Sequence, residues 1–274
     1  MCARAGVSRA GFYRWRSPRQ PRESEQALRD QIQKVALQWP SYGSRRIKIE
    51  LRDQHGWDVN RKRVQRLMRQ DNLLCLRQRK FVVTTASDHR LAVYGNLTRS
   101  LALSGTDQLW VADITYIRLQ EEFVYLAVVL DAYSRRVIGW ALERTLEDKL
   151  TLAALAMALS QRQVRPGLVH HSDRGVQYAS GDYTRLLREQ SIQISMSRKA
   201  SPWDNAACES FMKTLKWEEV YRIEYRDLAH ARARIGEFLE QVYNQRRLHS
   251  ALGYRSPAAF ERSLHGRQAR RASA

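Results

Sequence analysis

Apolar residues recur at helical spacing in the first third of the chain, and they form short continuous runs further along. The helical spacing predicts helices over residues 27–39, 44–54 and 61–70. Asn60 stands just before the third of them, where an amide side chain commonly caps a helix. Three short helices joined by tight turns predict an all-α helix-turn-helix region.

Residues 107–220 show a different pattern, in which β-branched and aromatic runs alternate with longer segments rich in Leu and Ala. Strands are predicted at 108–118, 123–130, 137–142, 168–171 and 192–196. Helices are predicted at 145–162, 182–190 and 206–220. The order β-β-β-α-β-α-β-α predicts an α/β fold.

The composition is that of a folded protein with a strong excess of positive charge. Hydrophobic residues make up 43% of the chain, and 47 Lys and Arg against 28 Asp and Glu give a net charge of +19. Such a surface attracts nucleic acid by releasing counterions. The alternatives are that the charge serves general solubility or attraction to a membrane surface. Because no apolar run approaches the ~20 residues of a membrane span, we expect a cytoplasmic, nucleoid-associated protein without a membrane partner.

The third predicted helix concentrates this charge. Its apolar residues, Val64, Leu67 and Met68, fall on one face. The predicted DNA contacts on its other faces are Lys62, Arg63, Arg66 and Arg69. The alternative is a plain helical bundle in which these four side chains are only a solvated surface.

Three acidic residues lie in unusually apolar surroundings. Asp113 interrupts a predicted strand, Asp173 follows another, and Glu209 lies in a predicted helix. Acids brought together in such surroundings repel one another unless a cation lies between them. Mg²⁺ prefers carboxylate oxygen, and two such ions can drive phosphodiester chemistry. The sequence therefore predicts a magnesium site that acts on a polyanion.

Two histidines, His170 and His171, precede Asp173, but no further ligands at zinc spacing accompany them. One of them could position water or phosphate; the alternative is that one is packed and the other solvated. Cys208 neighbours Glu209, yet no histidine partner for a catalytic thiol is evident nearby.

Four motifs give the chain a family resemblance. They are Trp-Val-Ala-Asp-Ile-Thr-Tyr-Ile at 110–117, His-Ser-Asp-Arg-Gly-Val-Gln-Tyr at 171–178, Asp-Asn-Ala-Ala-Cys-Glu-Ser-Phe-Met-Lys-Thr-Leu-Lys at 204–216, and Tyr-Asn-Gln-Arg-Arg-Leu-His-Ser-Ala-Leu-Gly-Tyr-Arg-Ser-Pro at 243–257. With them, nearly the whole chain resembles the DDE transposases of insertion-sequence-3-type bacterial elements (the orfB product), which are relatives of retroviral integrases. The resemblance implies a ribonuclease H-like core, a five-stranded mixed sheet with helices, preceded by the all-α helix-turn-helix region.

The resemblance also implies the site. Asp113, Asp173 and Glu209 would be the catalytic and metal-binding triad, holding two Mg²⁺ ions, with Mn²⁺ as the substitute. Lys216, two helical turns after Glu209, would contact DNA near the reacting end; the alternative is an exposed helix charge. Lys213 and Trp203 are further candidates for DNA contact. Without DNA or metal, we expect Glu209 to lie several ångströms from the other two acids.

Five segments are expected on these grounds. They are a partial helix-turn-helix-like segment at 1–21, a helical DNA-binding domain at 22–80, a linker at 81–106, the ribonuclease H-like catalytic core at 107–220, and a C-terminal helical extension at 221–274, with a basic tail that frays from His265.

The predicted activity is that of a transposase, a DDE polynucleotidyl transferase. It would cleave the ends of a mobile element and join the 3′-OH to DNA. Its partners would be the double-stranded DNA of the element ends and target, further copies of the same chain, and a helix-turn-helix protein from an upstream frame. Two alternatives stay open, a non-catalytic DNA-binding repressor and a ribonuclease H-like nuclease that cuts without joining.

Overall fold

The computed structural model divides the chain into two compact units, Met1–Gln78 and Arg79–Ala274. It describes residues 6, 8, 12–13, 23–74, 92–198 and 202–272, without the side chains of residues 23, 24, 100, 202, 203 and 265–272. Most of the predicted segment 1–21, the end of the predicted DNA-binding domain at 75–80 and the first part of the predicted linker, 81–91, lie outside the described residues.

The first unit is helical, as predicted. Its helices are α1, Glu23–Gln38; α2, Ser44–His55; and α3, Arg61–Gln70. They bury one apolar stripe each, which together form the core of Leu28, Ile32, Val35, Ile47, Leu51, Val64, Leu67 and Met68. Helix α2 ends at Gly56, whose φ of +71° suits a glycine better than any residue with a side chain.

Helix α3 begins as the sequence predicts, because the Asn60 side chain accepts a hydrogen bond from the backbone N–H of Lys62 at 2.8 Å. All four of its predicted DNA-contact side chains are exposed: Lys62, Arg63, Arg66 and Arg69. The guanidinium nitrogens of Arg63 and Arg66 approach the Glu25 carboxylate at 3.8 and 3.3 Å. Contact of this face with DNA stays a prediction.

The second unit is built on a five-stranded mixed sheet. Its strands are β1, Leu109–Arg118; β2, Phe123–Asp131; β3, Val137–Glu143; β4, Val169–Ser172; and β5, Gln193–Met196. Their order across the sheet is β3-β2-β1-β4-β5, with β1, β2 and β3 antiparallel and β4 and β5 parallel to β1. This ribonuclease H-like arrangement confirms the predicted fold class.

Helices cover both faces of the sheet. They are α4, Asp148–Gln161; α5, Val176–Ala179; α6, Gly181–Glu189; α7, Ala206–Glu218; α8, Leu228–Glu237; and α9, Pro257–Ala272. Because side chains alternate along a strand, Leu109 and Val111 of β1 pack with α7 and α8, whereas Trp110 and Ala112 pack with α4 and α6. No helix in the described part of the chain is long and apolar enough to cross a membrane.

The C-terminal residues pack onto the same unit. Asn244 donates to the carbonyl oxygen of Val137 at 2.8 Å and accepts from its N–H at 3.0 Å. Buried Glu261 of α9 binds the guanidinium groups of Arg136 and Arg162 at 2.7 and 2.5 Å. The expectation of a frayed tail from His265 is wrong for the backbone, since α9 continues to Ala272; the Ala, Arg and Gln residues there favour a helix.

Gly139 of β3 offers a test of this packing. An added Cβ would lie 2.1 Å from the carbonyl oxygen of Ala154 and 2.8 Å from the backbone nitrogen of Ala158, so α4 would have to move off the sheet. We expect Gly139→Ala to lower the free energy of unfolding by about 3 kcal/mol or more, measured by chemical denaturation. Gly181→Ala is the control, because its Cβ would meet nothing within 4 Å. Equal stability of the two variants would contradict the packing.

Candidate active site

Two of the three predicted acids are placed side by side by strand pairing. Strands β1 and β4 run parallel, and Val111 lies opposite His171. Asp113 and Asp173 are each two positions further along their chains, so both side chains emerge on the same face of the sheet at the end of β4. The register therefore brings together two acids that are distant in sequence.

Backbone N–H groups orient both carboxylates. An oxygen of Asp113 accepts from the N–H of Ile114 at 2.9 Å, and an oxygen of Asp173 accepts from the N–H of Gly175 at 2.9 Å. A Cβ at Gly175 would lie 3.0 Å from that Asp173 oxygen, so the glycine leaves room for the carboxylate. The turn after β4 thus fixes the direction in which Asp173 points.

The third acid, Glu209, reaches the site from α7. It lies in the first turn of this helix, and its half-buried carboxylate is 3.6 Å from the Nζ atom of Lys213. Helix α7 packs across β1, and the Nδ2 group of Asn205 donates to the carbonyl oxygen of Ala112 at 3.0 Å. The start of the helix is therefore attached to the strand that carries Asp113.

The acids influence one another electrostatically. Burial and then the charges of Asp173 and Glu209 raise the pKa of Asp113 to about 7, whereas the N–H of Ile114 and the ammonium of Lys216 act to lower it. An acid with this pKa is only partly ionised at neutral pH. A cation between the three would favour the charged form of all of them.

Within the described residues, no three His, Cys, Asp or Glu side chains lie close enough together to hold a metal ion. The expected separation of Glu209 from Asp113 and Asp173 in the absence of DNA and metal stays a prediction. The donor set itself fits Mg²⁺, because three carboxylates approach from three different elements and Mg²⁺ prefers oxygen ligands. Their assignment as the catalytic triad stays a prediction.

Lys216 lies beside the acids, and it is not an ordinary exposed helix charge. Its half-buried ammonium is 4.9 Å from the ring centroid of Tyr116 on β1. Burial lowers the pKa of Lys216, whereas the neighbouring Asp113 raises it. Lys213 is exposed and paired with Glu209. The side chain of Trp203 lies outside the described residues.

A shallow groove opens next to Asp173. The residues that line it carry apolar, hydroxyl, aromatic and amide side chains: Ile114, Thr115, Tyr116, Tyr125, Leu146 and Gln177. The Gln177 side chain donates to the carbonyl oxygen of Leu146 at 3.0 Å, which joins two walls of the groove.

The two histidines before Asp173 are both buried, so the expectation that one is solvated is wrong. His170 bonds the Tyr183 hydroxyl at 2.9 Å, and His171 lies between the hydroxyls of Ser195 and Ser197 at 2.8 and 3.0 Å. Burial lowers the pKa of His170 to about 3 and that of His171 to about 4. Both rings are therefore neutral members of the sheet core.

Burial also decides the chemistry of Cys208, whose thiol pKa is raised well above its ordinary value, first by burial and then by the nearby acids. A thiol held in its protonated form is a poor nucleophile. This agrees with the sequence argument against a catalytic cysteine.

Sequence reasoning did not single out two side chains beside the acids, Asn205 and Tyr178. The Tyr178 hydroxyl is buried, has no hydrogen-bond partner among the described residues, and has a pKa raised by burial and by charges that include those of Asp113 and Asp173. Both residues occur inside the motifs quoted above. Their position in those motifs could have identified them as candidate site residues, but only the packing shows what they contact.

Comparison with known proteins places these residues in two family models. A model described as "Integrase core domain" matches residues 104–202, which include Asp113 and Asp173, and a second model of that description matches 190–257, which include Glu209. A model described as "HTH-like domain" matches residues 23–81, the region of α1 to α3.

Solved structures with a similar fold include the catalytic core domain of BIV integrase, which is 16% identical, covers 59% of this chain and 99% of that one, and has a TM-score of 0.44. The HTLV-2 integrase catalytic core domain in complex with magnesium is 15% identical, covers 57% of this chain and 96% of that one, and has a TM-score of 0.43.

Two curated relatives extend over almost the entire chain. The "Insertion element IS600 uncharacterized 31 kDa protein" of Shigella sonnei is 40% identical over 97% of this chain and 98% of its own length. The "Transposase InsF for insertion sequence IS3A" of Escherichia coli is 37% identical over 95% of this chain and 92% of its own. Since these matches run through both units and through all three acids, the chain belongs to the family of IS3-type insertion-sequence transposases.

Proposed function

We propose that this protein cleaves the ends of a mobile DNA element and joins the freed 3′-OH to DNA, as a DDE polynucleotidyl transferase. One observation supports the proposal: the charges of Asp173 and Glu209, which lie on two other elements, both act on the buried Asp113 carboxyl and raise its pKa. Membership of the transposase family supports the reaction class.

Asp113, Asp173 and Glu209 are the residues that would hold the metal ions. Two bound Mg²⁺ ions, or Mn²⁺ in their place, would supply activation of the attacking oxygen and stabilisation of the leaving oxygen. Lys213 pairs with the Glu209 carboxylate, and Lys216 lies near Asp113. The donor set is all oxygen, which suits Mg²⁺ better than a softer metal.

The overall reaction has two steps at phosphorus. Attack by water breaks the bond to the 3′ oxygen at the element end and leaves a free 3′-OH. That 3′-OH then attacks a second phosphodiester, so one phosphorus–oxygen bond forms as another breaks. No covalent enzyme intermediate is needed, and the protein contributes position and charge.

The basic residues have separate roles in the proposal. Lys216, held against Tyr116 above the acids, would neutralise the phosphate next to the reacting bond. Lys213 would contact the DNA strand from the exposed side of α7. The exposed face of α3 would bind the duplex of the element end. Trp203 is proposed as a further contact on the grounds of its sequence position alone.

We also propose that several copies of the chain act together on DNA. Joining requires that element ends and target be held in one complex, and a single set of three acids performs one phosphoryl transfer at a time. A helix-turn-helix protein from an upstream frame would add recognition of the end sequence. Both proposals extend the family assignment and are independent of the chemistry at the acids.

The test is to mix the protein with Mg²⁺ and labelled element ends, with wild type and Asp173→Asn side by side. We expect the wild type to release a 3′ end and then form a joined product, and the variant to form neither. Equal activity of the two proteins would contradict the role of the acids. Cleavage without joining would favour a nuclease, and binding without chemistry in either protein would favour a repressor.

A further inference from the structure

Asn205 occupies the position before the first residue of α7, where asparagine commonly caps a helix. Its side chain does not do so: the structure gives it no capping hydrogen bond to the helix. The Nδ2 group instead donates to the carbonyl oxygen of Ala112, 93 positions earlier in the chain. By contrast, Asn60 caps its own helix with the same type of side chain.

This hydrogen bond connects the two sides of the active site. Ala112 immediately precedes Asp113 on β1, and Asn205 lies four positions, or about one helical turn, before Glu209 on α7. The recorded pairing of β1 with β4 ends at Val111, so Ala112 is the first residue beyond it. The amide thus joins the strand that carries one acid to the helix that carries another.

Asn205 is buried, so its hydrogen bond to Ala112 is not a contact between exposed surface groups. The residue is 7% exposed, and its Oδ1 atom has no hydrogen-bond partner among the described residues. Burying an amide with an unpaired acceptor opposes folding. The favourable contribution of this side chain therefore comes from its donor, and the donor serves the tertiary contact with β1.

We propose that Asn205 is a positioning residue, which sets the separation between the Glu209 carboxylate and the Asp113 carboxylate by fixing the start of α7 against β1. The inference rests on the proposed function, since it concerns the same three acids. Without the bond, α7 keeps its apolar contacts but its first turn gains freedom to shift along the strand. A shift of about 1 Å is enough to lower catalysis by about 10²-fold.

Replacement by serine or aspartate separates positioning from helix capping. Both residues cap helices well, and both lack an amide donor that reaches the Ala112 carbonyl. We expect Asn205→Ser and Asn205→Asp to unfold within a few degrees of wild type, measured without metal. Asn205→Gln keeps the amide donor on a longer side chain, so it should recover part of the lost function if Asn205 acts by positioning. If Asn205 acted as a helix cap, glutamine would recover none of it.

The first measurement is the Mn²⁺ concentration that raises the unfolding temperature of the full chain, with no DNA present. We expect Asn205→Ser and Asn205→Asp to need about 10-fold more Mn²⁺ than wild type, with Asn205→Gln between them. An identical Mn²⁺ dependence in all four proteins would overturn the role of Asn205. If wild type itself shows no response to Mn²⁺, the metal site fails, and the proposed function fails with it.

The second measurement is strand joining at saturating Mg²⁺. We expect kcat of Asn205→Ser to fall by about 10- to 100-fold while KM for element-end DNA stays unchanged, because the residue acts on the acids and not on the DNA. A rise in KM alone would overturn the inference and assign Asn205 to DNA binding. If Asn205→Ser unfolds at a much lower temperature than wild type, Asn205→Asp replaces it. Comparing Asn205→Asp with Asn205→Gln then gives the same contrast between a side chain without the amide donor and one that keeps it.

Discussion

Asp113→Asn is expected to abolish strand joining and, at the same time, to stabilise the metal-free protein. Joining should fall by about 10³-fold or more, because the variant loses a charged oxygen ligand at the centre of the proposed triad. The free energy of unfolding should rise by about 2–4 kcal/mol at pH 8, because asparagine removes a buried charge that Asp173 and Glu209 repel.

The gain in stability depends on pH in a defined direction. The pKa of Asp113 is about 7 in the folded protein against an ordinary value of 3.8, so the folded state binds this proton more tightly than the unfolded state. The contribution of Asp113 to the stability of the wild type is therefore lost as the pH rises from about 4 to 7, and the asparagine variant has no such loss. The contributions of His170 and His171 are the same in both proteins and cancel in the difference.

Chemical denaturation of both proteins at pH 5, 6, 7 and 8 with a chelator present measures this difference. Asp182→Asn serves as the control, since Asp182 is exposed and pairs only with Arg185 at 2.7 Å, among the residues described. It should leave joining unchanged. Loss of stability in Asp113→Asn at pH 8 would contradict the electrostatics of the site.

Arg247→Met is expected to destabilise the protein by about 3–5 kcal/mol. The guanidinium of Arg247 donates two hydrogen bonds of 2.8 Å to the Glu218 carboxylate, and the side chains of the pair are only 6% and 8% exposed. Methionine fills much of the same volume but leaves the Glu218 charge buried without this partner. The pair joins the end of α7 to the turn after Tyr243, so its loss also loosens the helix that carries Glu209.

The double variant Arg247→Met with Glu218→Gln tests the cause. Removing the second charge should restore about 1–3 kcal/mol, because the single variant leaves the buried Glu218 charge without the Arg247 guanidinium. Urea denaturation of the two single variants and the double variant completes the cycle. Strict additivity of the single effects would show that the two side chains do not interact, against the observed geometry.

Local patterns along the chain were reliable wherever a property depends on near neighbours. The spacing of apolar residues predicted the five strands and most of the helices, and Asn60 caps its helix as expected. The basic composition and the motifs around Asp113, Asp173 and Glu209 led to the same family that the curated relatives show.

Sequence patterns gave wrong predictions where elements distant in the chain determine whether a side chain is buried. His170 and His171 alternate on a strand, which suggests one buried face, but helices cover both faces of the sheet and both rings are enclosed. Lys216 has the sequence of an exposed helix charge, yet its ammonium lies against Tyr116 of a strand. Sequence reasoning did not single out Asn205, whose amide lies at the start of a helix but donates to the Ala112 carbonyl on a strand.

The sequence by itself determined the element order, the fold class and the transposase family, because each depends on residue types and on short spacings; the role of the three acids stays a prediction. Only the tertiary structure decided how these acids meet. The parallel register of β1 and β4 leads Asp113 and Asp173 to the same edge of the sheet, and the contact from Asn205 to β1 determines where α7 carries Glu209. Strand register and helix–strand contacts join residues far apart in the chain, and no local pattern encodes them.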